Sequence, residues 1–355
     1  MPRGGVSGYA VINARVRAMS SNLLTSQQWT NLCQTPDSRS LVESLNETAY
    51  HEYLVNVDEK ELTPRRAVYQ IKHRIADAYL TVIRLALAHT RPLLMQLYRH
   101  FELDNLKAVF RGIISGASWE RVRFVLFPFG SDTVLPAQAM VEAGSVEAAV
   151  ALLHDTPYYD TLSHALKRYA AEQSLFPLEV ALDLNYFRQL WNEVKQLTGD
   201  DRNQSLRVVG SLLDMNNLMW AIRYRVYHHL SEEEIINYTL PFGHRVQDED
   251  IRAIAAGADI SQVVARAYPT LPEISTLLQD PRTDLPMLEL HLQRYLGKQC
   301  KAVFAGYPFH VGIPLAFVTL TELEVQDLIV IIEAKAVQMP PERFQPLLLA
   351  GCAPQ

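Results

Sequence analysis

One structural unit recurs three times along this chain, at a step of about 110 positions, and this recurrence limits the chain to folds built from equivalent parts. The clearest copies are three helix-like stretches: ELDNLKAVFRG from Glu102, DMNNLMWAIRYR from Asp214 and EVQDLIVIIEAK from Glu324. We call them the signature helices. Their first residues are 112 and 110 positions apart. Solenoid repeats are usually only about 20–50 residues long, so this spacing favours three separate bundles over an open superhelix.

Two further elements keep nearly the same step. LNETAY, which begins at Leu45, returns as LHDTPY from Leu153, 108 positions later. FPFG, which begins at Phe127, returns as LPFG from Leu240, 113 positions later. Elements that keep one order and one spacing predict three copies of a single structural unit.

The third copy is the most divergent of the three. VVARAYP stands where the LxxTxY element is expected, and no PFG follows Lys335. With these landmarks, the predicted bundles span residues 8–130, 131–243 and 244–355.

The residues between the landmarks predict an all-α fold. Helix formers such as Leu, Ala, Glu, Gln and Arg dominate, and only 15 glycines interrupt them. Short helices with Asp or Ser caps are predicted at DSRSLVESL and DISQVVARA. Longer helices that begin at a proline are predicted from Pro64 to about His100, from Pro177 to Leu197 and from Pro286 to Lys301. The one β-like run, RFVLF, is too short to alter this assignment.

Each signature helix carries polar residues on its apolar face. On a helical wheel, Asp214, Asn217 and Arg225 lie on the same side as Leu218 and Ala221. An unpaired buried polar group costs about 1–3 kcal/mol, so these residues need either partners or a function. The signature positions are Glu102, Asn105, Arg111, Asp214, Asn217, Arg223, Arg225, Glu324, Asp327 and Lys335.

Two interpretations of the signature residues compete. In the first, Glu102, Asp214 and Glu324 transfer protons in a catalytic site. In the second, they belong to a hydrogen-bonded internal network, with Arg225 and Lys335 as counter-charges on the same helix face. Repetition favours the structural interpretation, because an active site need not occur three times.

Composition and motifs argue against several classes of protein. The formal charge of −6 disfavours a broad nucleic-acid surface. The motifs GxxxxGK, GxGxxG, HExxH and GxSxG are absent from the sequence. GDDRNQ, from Gly199, resembles the paired-acid metal motif of helical prenyl-transfer enzymes, but Gln204 replaces the third acid, so a solvated loop is expected. We therefore predict no catalytic residue, cofactor or metal site, with a helical enzyme kept as an alternative.

One stretch approaches the length of a membrane span. Residues 302–320 contain no Asp, Glu, Lys or Arg, but they include Pro308 and Pro314. A lone lipid-exposed segment could not satisfy the backbone groups that these prolines free. We predict a turn-rich connection that leads into a buried helix near Pro314. The N-terminal residues, with a short apolar run before Asn13, predict no signal peptide.

Several of these stretches resemble one known family along nearly the whole chain. GYAVINARVRAMSSNLL and LVESLNETAY are similar to the N-terminus of the C subunit of prokaryotic V/A-type ATPases, called the d subunit in the eukaryotic enzyme. The first two signature helices resemble the repeated helix of that family. The closing block, PFHVGIPLAFVTLTELEVQDLIVIIEAKAVQMPPERF, is the most specific match. Asp327 departs from the pattern, since the family has Asn at that position.

The resemblance implies a fold and a function. It implies three helical bundles around a pseudo-threefold axis, forming a funnel without catalytic activity. This funnel is expected to couple the central shaft, made of the D and F subunits, to the membrane proteolipid ring, for ATP-linked transport of protons or sodium ions. The chain would then lie on the cytoplasmic face of a prokaryotic plasma membrane, held there only through the ring. A helical adaptor unrelated to an ATPase is the alternative.

The same resemblance suggests where partners bind. The signature residues could line the funnel instead of lying inside the bundles. Aromatic turns and the uncharged stretch are candidate contacts with ring or shaft, and packing within their own bundle is the competing interpretation. These candidates are Phe127, Phe129, Phe242, Tyr307 and Phe309.

Overall fold

The computed structural model describes residues 6–55, 63–271, 278 and 280–349. These residues form helices and connecting turns without any strand, which confirms the all-α prediction. RFVLF lies in the turn that follows a short helix. The α-helices are, in order, α1 Val6–Ser20, α2 Ser26–Gln34, α3 Ser38–Leu45, α4 His51–Leu54, α5 Pro64–Leu85, α6 Arg91–Ile114, α7 Trp119–Val122, α8 Ala137–Glu142, α9 Val146–Ala151, α10 Tyr159–Glu172, α11 Phe176–Gln196, α12 Gly199–Ser205, α13 Ser211–Val226, α14 Glu232–Asn237, α15 Asp248–Ala255, α16 Ile260–Ala267, α17 Pro281–Ala305, α18 Gly312–Ala336 and α19 Pro341–Phe344.

The chain forms two compact units. The first consists of Met1–Ser21, Trp191–Asp327 and Gln345–Gln355. Within it, α13 packs against α15 and α17, and a five-residue π-helix, Leu206–Gly210, joins α12 to α13. The second unit consists of Asn22–Leu190 and Leu328–Phe344, and in it α6 packs against α5, α8 and α9. The predicted bundle limits do not coincide with these units, and the division into three bundles stays a prediction.

Helix starts follow the capping chemistry that the sequence suggests. The Asp37 side chain accepts a hydrogen bond from the Ser40 amide at the start of α3, and Asp259 accepts one from Ser261 at the start of α16. Each cap satisfies an amide that has no partner within its helix. The two short capped helices predicted at these positions are therefore confirmed.

Two of the long helices differ from their predicted limits. The helix expected from Pro64 to about His100 is divided into α5 and α6 by residues 86–90. Pro92 explains the division, because a continuous helix would lack the amide of this residue and would clash with its ring. The helix expected from Pro286 begins five residues earlier, where Asp280 caps it and Pro281 occupies the first position.

The uncharged stretch enters a buried helix, as predicted. Residues 306–311 form the connection, and α18 begins at Gly312, two residues before Pro314. Most side chains of its first turns, including Ile313, Leu315 and Phe317, are buried within the protein. Among the described residues, no helix has the length and apolar character needed to cross a bilayer.

Candidate functional site

The amide position of the first two signature helices binds a backbone segment further along the chain. Asn105 donates from Nδ2 to the Phe127 carbonyl at 2.9 Å and accepts the Phe127 amide on Oδ1 at 2.6 Å. Asn217 makes the same pair of bonds with Leu240, at 2.9 and 2.8 Å. Phe127 and Leu240 are the first residues of FPFG and LPFG, so the two repeated elements are joined in the same way. We call this arrangement the amide clamp.

The third signature helix has half of this clamp. Asp327 is fully buried, and its Oδ1 accepts the Leu349 amide at 2.6 Å. Leu349 follows Asp327 by 22 residues, the separation that also holds between Asn105 and Phe127. A carboxylate has no N–H to donate, so Asp327 cannot complete the second bond to the Leu349 carbonyl. The third copy therefore keeps the contact although its sequence lacks PFG.

The acids of the first two signature helices also accept hydrogen bonds from downstream residues. Glu102 accepts Thr133 Oγ1 at 2.8 Å, the Val134 amide at 2.7 Å and the Tyr158 hydroxyl at 2.6 Å. Asp214 accepts the amides of His244 and Arg245, both at 2.7 Å. Both carboxylates are buried and hydrogen-bonded, which offsets much of the cost of removing their charge from water.

Glycine is required beside Asp214 for a steric reason. A Cβ atom on Gly243 would lie 2.0 Å from the Val246 carbonyl oxygen and 2.6 Å from Asp214 Oδ1. The glycine of LPFG thus lets the backbone approach the carboxylate closely enough for the two amide bonds. In the first copy, glycine is required at position 130 for a different reason: its φ is 75°, a backbone angle that other residues rarely adopt.

Burial changes the titration of Asp214. Its side chain is fully buried, and this burial raises the pKa of the carboxyl from 3.8 to about 6, although three backbone amides and Arg245 act in the opposite direction. Tyr268, also buried, lies near it: burial raises the pKa of the Tyr268 phenol, and the charge of Asp214 raises it further. Tyr268 follows Tyr158 by 110 positions, so the two tyrosines hold equivalent positions in the sequence repeat, and each is close to the acid of a signature helix.

Two cations of the signature, Arg225 and Lys335, bind the ends of other helices. Arg225 donates to the carbonyls of Ile254, Gly257 and Ala258, at and beyond the end of α15. Lys335 is buried and donates to the carbonyls of Cys33 at 2.8 Å and Thr35 at 2.5 Å, at the end of α2. A cation at the C-terminus of a helix is favoured by the helix dipole and satisfies free carbonyls. The prediction that Arg225 neutralises Asp214 is therefore wrong, whereas the predicted pairing of Lys335 with Glu324 stays a prediction.

The remaining arginines of the signature form ion pairs with the next long helix. Arg111 pairs with Glu179 of α11 at 2.8 Å, and Arg223 pairs with Glu289 of α17 at 2.6 Å. Glu179 and Glu289 are one step of the repeat apart, so the two pairs are equivalent. The last of the signature residues, Glu324, lies on α18 and is buried, with 5% of its surface exposed.

The five aromatic candidates occupy different environments. Phe127 and Phe129 are buried in a cluster in which Phe129 stacks on Tyr98 with 4.2 Å between ring centroids. Phe242 is half-buried and stacks on Trp191 at 5.5 Å. Phe309 is half-buried, whereas Tyr307 is 55% exposed. Of the five, Tyr307 alone presents most of its side chain to solvent.

A second polar cluster, in the first unit, was not predicted. Asp201 accepts the Tyr9 hydroxyl at 2.6 Å and the Val311 amide at 2.8 Å, and Asn13 donates to the Pro308 carbonyl. Asp201 lies in α12, so the segment from Gly199 that was expected to be a solvated loop is helical. These bonds fix α1 and α12 to the turn that precedes α18. Among the described residues, no group of three or more acidic, His or Cys side chains could hold a metal ion.

Taken together, these contacts define an all-helical protein in which most of the polar signature residues bind the chain's own backbone. The profile of the ATP synthase (C/AC39) subunit family matches residues 12–346. The chain belongs to this family, which confirms the resemblance to the C subunit of V/A-type ATPases.

Several relatives match almost end to end. The A-type ATP synthase C subunit of Methanocaldococcus jannaschii is 24% identical over 346 residues, covering 96% of this chain and 86% of the relative. The same subunit of Methanothermobacter thermautotrophicus is 25% identical over 350 residues, covering 96% and 88%. That of Thermococcus onnurineus is 24% identical over 341 residues, covering 96% and 90%.

Exchanging amide and carboxylate in the clamp should have opposite effects at two equivalent positions. Asn217→Asp removes the donor to the Leu240 carbonyl and adds a buried charge, so we expect a loss of roughly 3 kcal/mol in unfolding free energy. Asp327→Asn supplies the missing donor and should leave stability unchanged or raise it by up to about 1 kcal/mol. Denaturant unfolding of both variants and the wild type measures these changes in unfolding free energy. Destabilisation of the two variants by equal amounts would contradict the assignment.

The raised pKa of Asp214 predicts a pH dependence of stability. Because the folded state holds this proton more tightly than the unfolded state, the contribution is present below pH 4 and is lost as the pH rises through about 6. Relative to Asp214→Asn, the wild type should gain roughly 2 kcal/mol between pH 7 and pH 4. Urea unfolding of both proteins across this range provides the comparison. Parallel stability profiles would show that Asp214 has an ordinary pKa.

Proposed function

We propose that this chain is the non-catalytic central-stalk subunit of a rotary V/A-type ATPase. The observation that carries the proposal is the family match over residues 12–346, together with relatives named as the C subunit of A-type ATP synthases that align over 96% of the chain. In this role the protein couples the central shaft, made of the D and F subunits, to the proteolipid ring during ATP-linked transport of protons or sodium ions. It acts at the cytoplasmic face of the plasma membrane and is attached there through the ring.

The contacts of the signature residues support a mechanical role. A part that transmits torque must keep its shape, and close-packed helices with satisfied polar groups resist deformation. Glu102, Asn105, Asp214 and Asn217 each bind the chain's own backbone by hydrogen bonds of 2.6–2.9 Å. We propose that these side chains serve the architecture and do not transfer protons.

We further propose that residues 8–130, 131–243 and 244–355 form three equivalent bundles around a pseudo-threefold axis. Each signature helix contacts the repeat that follows it: Arg111 pairs with Glu179 of the second repeat, and Arg223 pairs with Glu289 of the third. The third signature helix contacts the first repeat, where Lys335 binds the end of α2. These contacts link each signature helix to another repeat of the sequence, which supports the proposed equivalence of the three bundles.

The contact with the ring is proposed to include the turn before α18. Tyr307 lies there with 55% of its side chain exposed, beside the rings of Phe309 at 5.4 Å and His310 at 6.4 Å. Exposed tyrosines supply large contact area at low entropic cost, which makes them frequent anchors in interfaces. Phe127 and Phe129 are buried, so we do not include them in this contact.

A stability experiment tests the equivalence of the three bundles. In the first repeat, Ile113 stands where the other repeats have Arg225 and Lys335, and α6 packs against α8. If the repeats are equivalent, Ile113→Lys should place a cation at the end of α8 and raise stability by about 0.5–1 kcal/mol. The control is Ile114→Lys at the adjacent exposed position, where no gain is expected. Equal effects of the two substitutions would argue against equivalent bundles.

Purification of the native complex tests the function. When the tagged chain is isolated in mild detergent, shaft subunits, nucleotide-binding subunits and the proteolipid should accompany it, as detected by mass spectrometry. Isolation of a free monomer from cells that express the ATPase would overturn the proposal.

Tyr307→Ser should weaken binding to purified proteolipid ring roughly tenfold by loss of an aromatic anchor. Val337→Ser, at another exposed apolar position, is the control and should bind like the wild type.

A further inference from the structure

A cavity of about 580 Å³ lies in the second unit, apart from the amide clamp of Asn105. Its wall is formed by α5, α6, the FPFG turn with the segment after it, and Pro157. Pockets of roughly 300–1,000 Å³ with mostly apolar walls and a few polar groups are typical of small-molecule sites. This cavity has such walls: Ile83 and Pro157 contribute apolar surface, while Met95 and Val134 line it with 42% and 46% of their surfaces exposed.

One wall carries a buried hydroxyl that lacks a partner. Tyr98 is 3% exposed, and no group among the described residues hydrogen-bonds its Oη. Its ring is fixed by stacking on Phe129 at 4.2 Å and on Tyr79 at 4.9 Å. Burial and the charges of Asp132, Asp77 and Glu102 raise the pKa of the phenol. The hydroxyl therefore keeps its proton and can donate to an oxygen atom of a ligand.

The described wall of the cavity carries two arginines and two acids, and they differ in how far they are already engaged. Glu102 lines it, but both of its oxygens already accept hydrogen bonds, from Thr133, Val134 and Tyr158. Two arginines, Arg84 and Arg99, also line it, and Arg84 uses its Nε for the Leu80 carbonyl. No carboxylate of the described residues lies within ion-pair distance of the half-buried Arg99 guanidinium. Asp132, which is exposed, is the one other acid in the described wall of the cavity.

We propose that this cavity binds a monoanionic amphiphile of the fatty-acid class. The carboxylate of the ligand accepts hydrogen bonds from the Arg99 guanidinium and the Tyr98 hydroxyl, and its alkyl chain lies along Ile83, Met95 and Val134. Arginine suits this head group because its planar donors match a carboxylate. Binding satisfies the Tyr98 hydroxyl and removes the exposed surface of Met95 and Val134 from water.

Titration of the full chain with laurate, below the critical micelle concentration of the lipid, tests the proposal by calorimetry and native mass spectrometry. We expect one laurate per chain. Arg99→Gln should weaken binding about tenfold or more because a charge-assisted hydrogen bond is lost. The matched control is Arg123→Gln, which removes an arginine that lies over the Phe124 ring and lines a different cavity. Neutral 1-dodecanol, with the same chain length, should bind at least about tenfold more weakly than laurate.

Two further variants separate ligand binding from folding. Tyr98→Phe removes an unpartnered buried hydroxyl, so the free protein should melt at the same temperature or higher while laurate binds more weakly. Met95→Trp fills the cavity at an exposed position and should abolish binding without lowering the melting temperature. Absence of saturable binding, equal weakening by Arg99→Gln and Arg123→Gln, or equal affinity for laurate and dodecanol would each overturn the proposal.

Discussion

The constraint on which this structure depends is the burial of polar side chains on the apolar face of each signature helix: a carboxylate and an amide in the first two copies, and two carboxylates in the third. Such groups destabilise a core unless every donor and acceptor has a partner. Here the partners are backbone groups of a segment that lies 22 to 32 residues further along the chain, at Phe127 and Val134 in one copy and at Leu240 and His244 in another. Each pair of polar residues thus determines where the chain returns after its helix, and glycine at position 243 permits that approach.

This arrangement explains how one helix can hold a returning segment of the chain and also contact the next repeat of the sequence. The amide clamp acts at short range within a repeat, whereas the ion pairs of Arg111 and Arg223 reach the long helix of the following repeat. The side chains of both ion pairs are partly exposed to solvent, which limits their contribution to the free energy of unfolding. Their main effect is therefore to fix the orientation of the two helices that they join. A protein built this way suits a rotary ATPase subunit that our proposal places between shaft and ring, because its polar groups hold the shape that must carry torque.

Much of this could be predicted from the sequence, because the repeat has strong local signals. The spacing of Glu102, Asp214 and Glu324 predicted the signature helices, and acidic caps located α3 and α16 correctly. The partners of Arg225 and Lys335 could not be predicted, since a helical wheel shows which face a cation occupies but not which carbonyls lie opposite. The contact of Asp327 with Leu349 was missed because Asp327 binds a backbone amide, which any residue type can supply. The PFG motif identifies the corresponding backbone segment in the first two copies, and it is absent from the third. Glu179 and Glu289, which keep the step of the repeat, could have been found by extending the repeat search.

Hydrogen exchange of three backbone amides tests the central claim most directly. Phe127, Leu240 and Leu349 lie in turns, yet each donates its amide to a buried signature side chain. We predict that these amides exchange as slowly as those in the interior of the helices. Asn105→Ala, Asn217→Ala and Asp327→Ala should each accelerate exchange at the corresponding amide alone. Rapid exchange of the three amides in the wild-type protein, at the rate of exposed turns, would contradict the account.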